Sequence, residues 1–143
     1  MPRQRQMFAK QTLLSESQAS RLAPRLLAHL GDAVFHLYER EREILSAATA
    51  SQMHANATKR ASATGQADLL EIISARLTDT EADIVRRARN AKTHQRRADQ
   101  AAYRLATAFE ALVGFLYLTN PARLEEVLSW TLDDKGKPAP ADD

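Results

Sequence analysis

The sequence predicts an all-α protein built as a single folded domain. Ala, Leu, Arg, Gln and Glu dominate its composition, and all are good helix formers. Four glycines and a 6% aromatic content are too little turn and strand-face chemistry for a β-sandwich or barrel. Apolar residues recur at the helical period through most of the chain. At 143 residues the chain fits one domain, and a fold of about 150 residues buries roughly two thirds of its unfolded surface. Residues 1–20 read as a polar N-terminal segment and 21–132 as the folded domain. Residues 133–143 read as a disordered acidic tail, with too little apolar content to pack.

Met7, Phe8, Leu13 and Leu14 are expected to dock the N-terminal segment on the core. Pro24 suits the first turn of a helix, which runs to about Ala48 with Leu26, Leu27, Leu30, Val34, Leu37, Ile44 and Leu45 in one apolar stripe. Gly31 costs that helix about 1 kcal/mol against Ala, a cost expected to be offset by close approach of a neighbouring helix or a ligand. The run Glu39-Arg40-Glu41-Arg42-Glu43 reads as a solvated face with i,i+4 pairs. Residues 50–64 form a polar helix with a break near Gly65. Gln66 to Leu77 follows as a helix with Leu69, Leu70, Ile72, Ile73 and Leu77 on its apolar face. Thr78-Asp79-Thr80-Glu81 is a capping box opening a helix to about Lys92, with Asn90 either its C-terminal cap or a ligand contact. After a polar loop over 93–99 comes the helix of Glu110, which ends near Asn120-Pro121. Pro121 opens a last helix through Leu124, Val127, Leu128 and Trp130.

Composition narrows the chemistry. With no cysteine, disulfides and thiolate metal sites are excluded, and carboxylate ligands favour Mg²⁺, with Mn²⁺ as a substitute. No apolar run reaches the roughly 18 residues of a bilayer span. The basic start lacks an apolar signal core. A cytoplasmic protein with no membrane partner is expected. Net charge is only +2, but Arg86, Arg87, Arg89, Lys92, Arg96, Arg97 and Arg104 are opposed in their stretch only by Asp99. That asymmetry fits a polyanion partner and equally a solvated helix face with a basic loop.

Two acids stand out because each interrupts an apolar helix, where an unpaired charge is costly. Asp32 lies in Leu26-Leu27-Ala28-His29-Leu30-Gly31-Asp32-Ala33-Val34-Phe35. Glu110 lies on the flank of the stripe Leu105, Phe109, Leu112, Val113 and Leu116, with Thr107 and Gly114 one turn to either side. If they meet, they form a site for a hard cation suited to phosphodiester hydrolysis. A structural salt bridge or two solvated carboxylates fit the spacing as well. Of the histidines, only His36, one turn from Asp32, is in reach of it.

Leu30-Gly31-Asp32-Ala33-Val34 is similar to the signature of the ribonuclease III catalytic domain. Ala106-Thr107-Ala108-Phe109-Glu110-Ala111-Leu112-Val113-Gly114-Phe115-Leu116-Tyr117-Leu118 resembles its second acidic motif. Arg86-Arg87-Ala88-Arg89-Asn90-Ala91-Lys92 followed by Tyr103-Arg104, together with the pattern Ser62-Ala63, Gln66-Ala67 and Leu70, narrows the resemblance to the Mini-III branch. It covers about residues 22–120, and no double-stranded-RNA-binding domain accompanies it. The resemblance implies a homodimeric, Mg²⁺-dependent, all-helical endoribonuclease cutting double-stranded RNA, with large-subunit ribosomal RNA precursor as the family substrate. It makes Asp32 and Glu110 the metal-binding catalytic carboxylates, and Arg86, Arg87, Arg89, Lys92, Arg96 and Arg97 the grip on the RNA backbone. Larger relatives carry further acids where this chain has Ala28 and Thr107, so water, RNA phosphate or Glu39 are the candidates to complete the metal shell. The loop 93–99 is shorter than is usual in the family and lacks proline. Apolar surface around Ala33, Phe35 and Phe115 is expected at the dimer interface. Two other classes remain open from the residues alone: a catalytically silent helical RNA-binding module, and a protein-interaction bundle with a basic loop.

Overall fold

The computed structural model describes residues 13–46, 49–91 and 100–132. Among them are seven helices and no strand element: α1 (Glu16–Ser20), α2 (Pro24–Leu45), α3 (Ala50–Ala61), α4 (Ala63–Ser74), α5 (Asp79–Arg89), α6 (Gln100–Thr119) and α7 (Pro121–Ser129). The expected elements are present, and the local signals explain their ends. Pro24 opens α2 and Pro121 opens α7 behind an Asn120 cap. Thr78 and Glu81 close the capping box of α5, and Asn90 is its C-cap residue. The break expected near Gly65 falls three residues earlier. There the Ser62 hydroxyl accepts from the Gly65 N–H at 3.0 Å and starts a new helix. Gly65 serves the corner in another way. A Cβ there would lie 2.0 Å from the Lys59 carbonyl oxygen, so the tight α3–α4 turn needs a glycine.

Helix α6 is the axis of the molecule, packed by α2, α4, α5, α7 and α1. Every residue from Ala111 to Leu116 is buried. By length and composition α6 could span a bilayer, but five helices surround it as the core of the domain. Leu14 packs against this core and donates its N–H to the Leu118 carbonyl at 2.9 Å, so the N-terminal segment does dock there. Met7, Phe8, the loop 93–99 and the tail 133–143 lie outside the described residues.

The α2–α6 contact is set by two glycines. A Cβ on Gly31 would sit 1.7 Å from the Glu110 carbonyl oxygen, and one on Gly114 would sit 2.0 Å from that of Leu27. The close approach expected at Gly31 is thus to a helix, and it is reciprocal. It also corrects the expected stripe. Leu26, Leu37, Ile44 and Leu45 are exposed at 60%, 39%, 70% and 77%. The line that faces the core runs instead from Leu27 through Gly31, Phe35, Glu39 and Glu43, because the glycine rather than the leucine face must meet α6. Phe35 and Phe115 are fully buried inside the chain, Phe35 edge-on to Phe109 at 5.1 Å. Neither can form the partner-facing surface expected of them; Ala33 is exposed.

The same rotation corrects the reading of the charge run, since Glu39 and Glu43 are buried. The Arg60 guanidinium donates to Glu39 at 2.8 Å, to the Thr131 hydroxyl at 2.9 Å and to its carbonyl at 3.3 Å. Arg42 donates to Glu39 at 3.0 Å and lies 3.6 Å from Glu43. These contacts fasten α3 and the segment after α7 to the second half of α2. On the other side of the domain, Glu81 pairs with Arg123 through two 2.9 Å bonds, which tie the start of α5 to α7.

Gly114→Ala puts a methyl group into a backbone that cannot yield. It is expected to lower unfolding free energy by about 3 kcal/mol or more, as severe overpacking does. Urea unfolding checks this, and a loss within experimental error would contradict the crossing described above.

Candidate metal centre

The glycine crossing decides which side chains meet. Gly31 contacts the backbone of Glu110 itself, so the next residue on α2, Asp32, is delivered to the Glu110 side chain. The two acids share a side-chain hydrogen bond. Their surroundings differ. Asp32 is 55% exposed and lies 3.3 Å from Nε2 of His36, the neighbour one turn on. Glu110 lies deeper. Burial, and then the hydrogen bond and charge of Asp32, push its carboxyl up to about 8. Glu110 therefore keeps its proton near neutrality, because ionising it there would set a second charge beside Asp32 in a half-buried site.

One further side chain completes the cluster. Gln66, 2% exposed in the first turns of α4, hydrogen-bonds the Glu110 carboxyl and pulls against the upward shift. A bond that favours the ionised form is one in which the amide donates. Gln66 belongs to the stretch that carries the Mini-III resemblance, but that resemblance gives it no role in the site. Its register singles it out: with Leu69, Leu70 and Ile73 it forms the i, i+3, i+4, i+7 line of the buried face of α4, where a glutamine is out of place.

The donor set is therefore two carboxylates, one half-open to solvent. Among the described residues no group of three or more His, Asp or Glu comes together. Glu39 is committed to Arg60 and Arg42 and does not complete the set. Ala28 is buried apolar surface, and the Thr107 hydroxyl donates to the Tyr103 carbonyl at 3.0 Å within its own helix. Two oxygen ligands fit a small hard cation that keeps most of its waters. Such a cation would replace the Glu110 proton and remove the like-charge penalty.

Of the basic residues, Arg86, Arg87 and Arg89 occupy the last turns of α5. Arg86 and Arg89 are exposed, Arg87 is half-buried, and Arg86 pairs with Asp83 at 2.5 Å. Lys92, Arg96 and Arg97 lie outside the described residues.

Comparison with known proteins gives this geometry a context. Residues 25–121 match the model of the ribonuclease III domain. The chain is 44% identical over 116 residues to the Mini-ribonuclease 3 of Symbiobacterium thermophilum, covering 78% of this chain and 89% of the relative. It is 45% identical over 112 residues to that of Gloeobacter violaceus (78% and 83%) and 38% identical over 117 residues to that of Enterococcus faecalis (78% and 89%). A crystal structure of a Fusobacterium nucleatum protein superposes with a TM-score of 0.68 at 25% identity, over 77% of this chain and 88% of that one.

The raised carboxyl of Glu110 fixes a pH dependence. The folded chain holds this proton more tightly than the unfolded chain, whose carboxyl titrates near the ordinary 4.5. The stability it contributes is full below that value and is lost as pH rises through about 8. The melting temperature of the metal-free protein is expected to fall between about pH 5 and pH 9, and Glu110→Gln to flatten the slope. Parallel slopes for wild type and variant would contradict the assignment.

Proposed function

The chain belongs to the ribonuclease III domain family and is an endoribonuclease, and we propose that it cuts double-stranded RNA with Mg²⁺ held by Asp32 and Glu110. The observation that supports this most is the Asp32–Glu110 contact, one acid half-buried and one open, on two helices locked by Gly31 and Gly114. The bound cation supplies an activated water and charge neutralisation at the scissile phosphate. The chain's own part is positioning. Asp32 reaches solvent, where a phosphate can approach, and His36 limits its rotation. Glu110 stays fixed in the wall of the site. Mn²⁺ satisfies the same ligands.

The substrate reading rests on shape and charge. Arg86, Arg87 and Arg89 form a basic end to α5, and we assign them, with Lys92, Arg96 and Arg97, to the phosphates of an A-form duplex. Precursor of large-subunit ribosomal RNA is the proposed natural substrate, met in the cytoplasm. A homodimer is the proposed form. It is supported by the face of α2 on which Leu26, Leu30, Ala33, Leu37 and Ile44 follow one another at helical spacing, with Leu26, Leu37 and Ile44 exposed on the single chain. An isologous pair through that face would offer two equivalent sites to the two strands of one duplex.

Incubation of the chain with duplex RNA tests the proposal. Cleavage is expected with Mg²⁺ and none without it. Asp32→Asn and Glu110→Ala should each reduce it at least about 100-fold while leaving salt-sensitive duplex binding in place. Full activity of both variants would sink the assignment. Binding without cleavage by the wild type would favour a silent RNA-binding module.

A further inference from the structure

We propose that Gln66 is a positioning residue of the cation site, the donor that holds the Glu110 carboxylate in its metal-binding orientation. The inference rests on the proposed Asp32–Glu110 site. Glu110 is held between a buried neutral donor, Gln66, and a half-exposed carboxylate, Asp32. The two contacts differ in kind. Asp32 can be a ligand; Gln66 is sealed from solvent and reaches a cation only through Glu110.

The backbone beneath Gln66 is built to keep it in place. The Ser62 hydroxyl donates to the Lys59 carbonyl at 2.8 Å and accepts from the Gly65 N–H at 3.0 Å. The N–H of Gln66 donates to the Ser62 carbonyl at 2.9 Å. Gly65 lets the α3–α4 corner close to a distance at which a Cβ would overlap the Lys59 carbonyl. Leu69, Leu70 and Ile73 continue the same buried line into the core. Gln66 is therefore the polar end of an otherwise apolar face, anchored by a capped turn and aimed at one partner. An apolar residue would pack at this position without a donor. What the amide adds is direction: it fixes a carboxylate that would otherwise be free to turn about its side-chain bonds. Groups that orient metal ligands in this way are worth about 10- to 100-fold in metal affinity or activity when removed.

The test uses the full-length chain with Gln66→Met, similar in length but without a donor, and Gln66→Leu, shorter and also without a donor. Three quantities are read: steady-state cleavage of duplex RNA, the Mn²⁺ concentration giving half-maximal activity, and the rise in melting temperature on adding Mn²⁺ alone. Gln66→Met is expected to lower kcat and raise the half-saturating Mn²⁺ by about 10- to 100-fold, with KM for RNA unchanged and a smaller Mn²⁺-induced rise in melting temperature. Gln66→Leu should do at least as much. Wild-type kcat and Mn²⁺ response in either folded variant would overturn the proposal. So would a loss that follows only the fraction unfolded. If the wild type itself does not cleave, the nuclease reading fails, and the Mn²⁺-induced melting shift of wild type against Gln66→Met still decides the role of Gln66.

Discussion

The crossing of α2 and α6 at Gly31 and Gly114 is the constraint on which the rest of the structure depends. Each glycine costs its helix about 1 kcal/mol against alanine. The return is a backbone approach that no other residue permits, since a Cβ at either position would overlap a carbonyl oxygen of the facing helix. Three consequences follow from one contact. Asp32 arrives beside Glu110. The leucine-rich face of α2 turns outward, where it is open to a second copy of the chain. The line continuing from Gly31 turns inward and carries Glu39 and Glu43 into the domain.

The domain surrounds its enclosed acids differently at the two ends of the α2–α6 contact. Glu39 is met from within by Arg60 and Arg42, and Thr131 accepts two further Arg60 bonds, while Glu43 lies 3.6 Å from Arg42 and burial pushes its carboxyl up. Such a network adds little net stability over an apolar core, but it penalises any other rotation of α2 because that would strand buried charges. Glu110 has no such cation. Its neighbours are a second carboxylate and an amide, and its carboxyl is driven up to about 8. An acid left in that state, with an exposed acid beside it, has the electrostatics of a site that takes its positive charge from outside.

Local signals carried much of this structure. Pro24, Thr78 with Glu81, and Asn120 with Pro121 each act within one turn of the backbone, and the helix starts follow them closely, whereas the Ser62 cap went unread and the break was expected near Gly65. Asp32 and Glu110 were legible because a charge in an apolar helix is conspicuous, and each lay in a stretch with a family resemblance. The rotation of α2 was not legible, because apolar periodicity selects the leucine face while the glycine contact selects its neighbour. Glu39 and Glu43 could not be recognised as buried, since the residue that balances Glu39 across the domain, Arg60, is distant in sequence. Gln66 lay in a stretch with a family resemblance but without a role; its register with Leu69, Leu70 and Ile73 is what separates it from a surface glutamine.

If the paired acids are a cation site, the proton that Glu110 holds near neutrality must leave when the metal binds. Isothermal titration of the chain with Mn²⁺ at pH 7, in two buffers of different ionisation enthalpy, counts that proton directly. A protonated Glu110 predicts release of about one proton per bound cation, and none when Glu110→Gln is titrated under the same conditions. Binding without proton release by the wild type, or no binding at all, would contradict it.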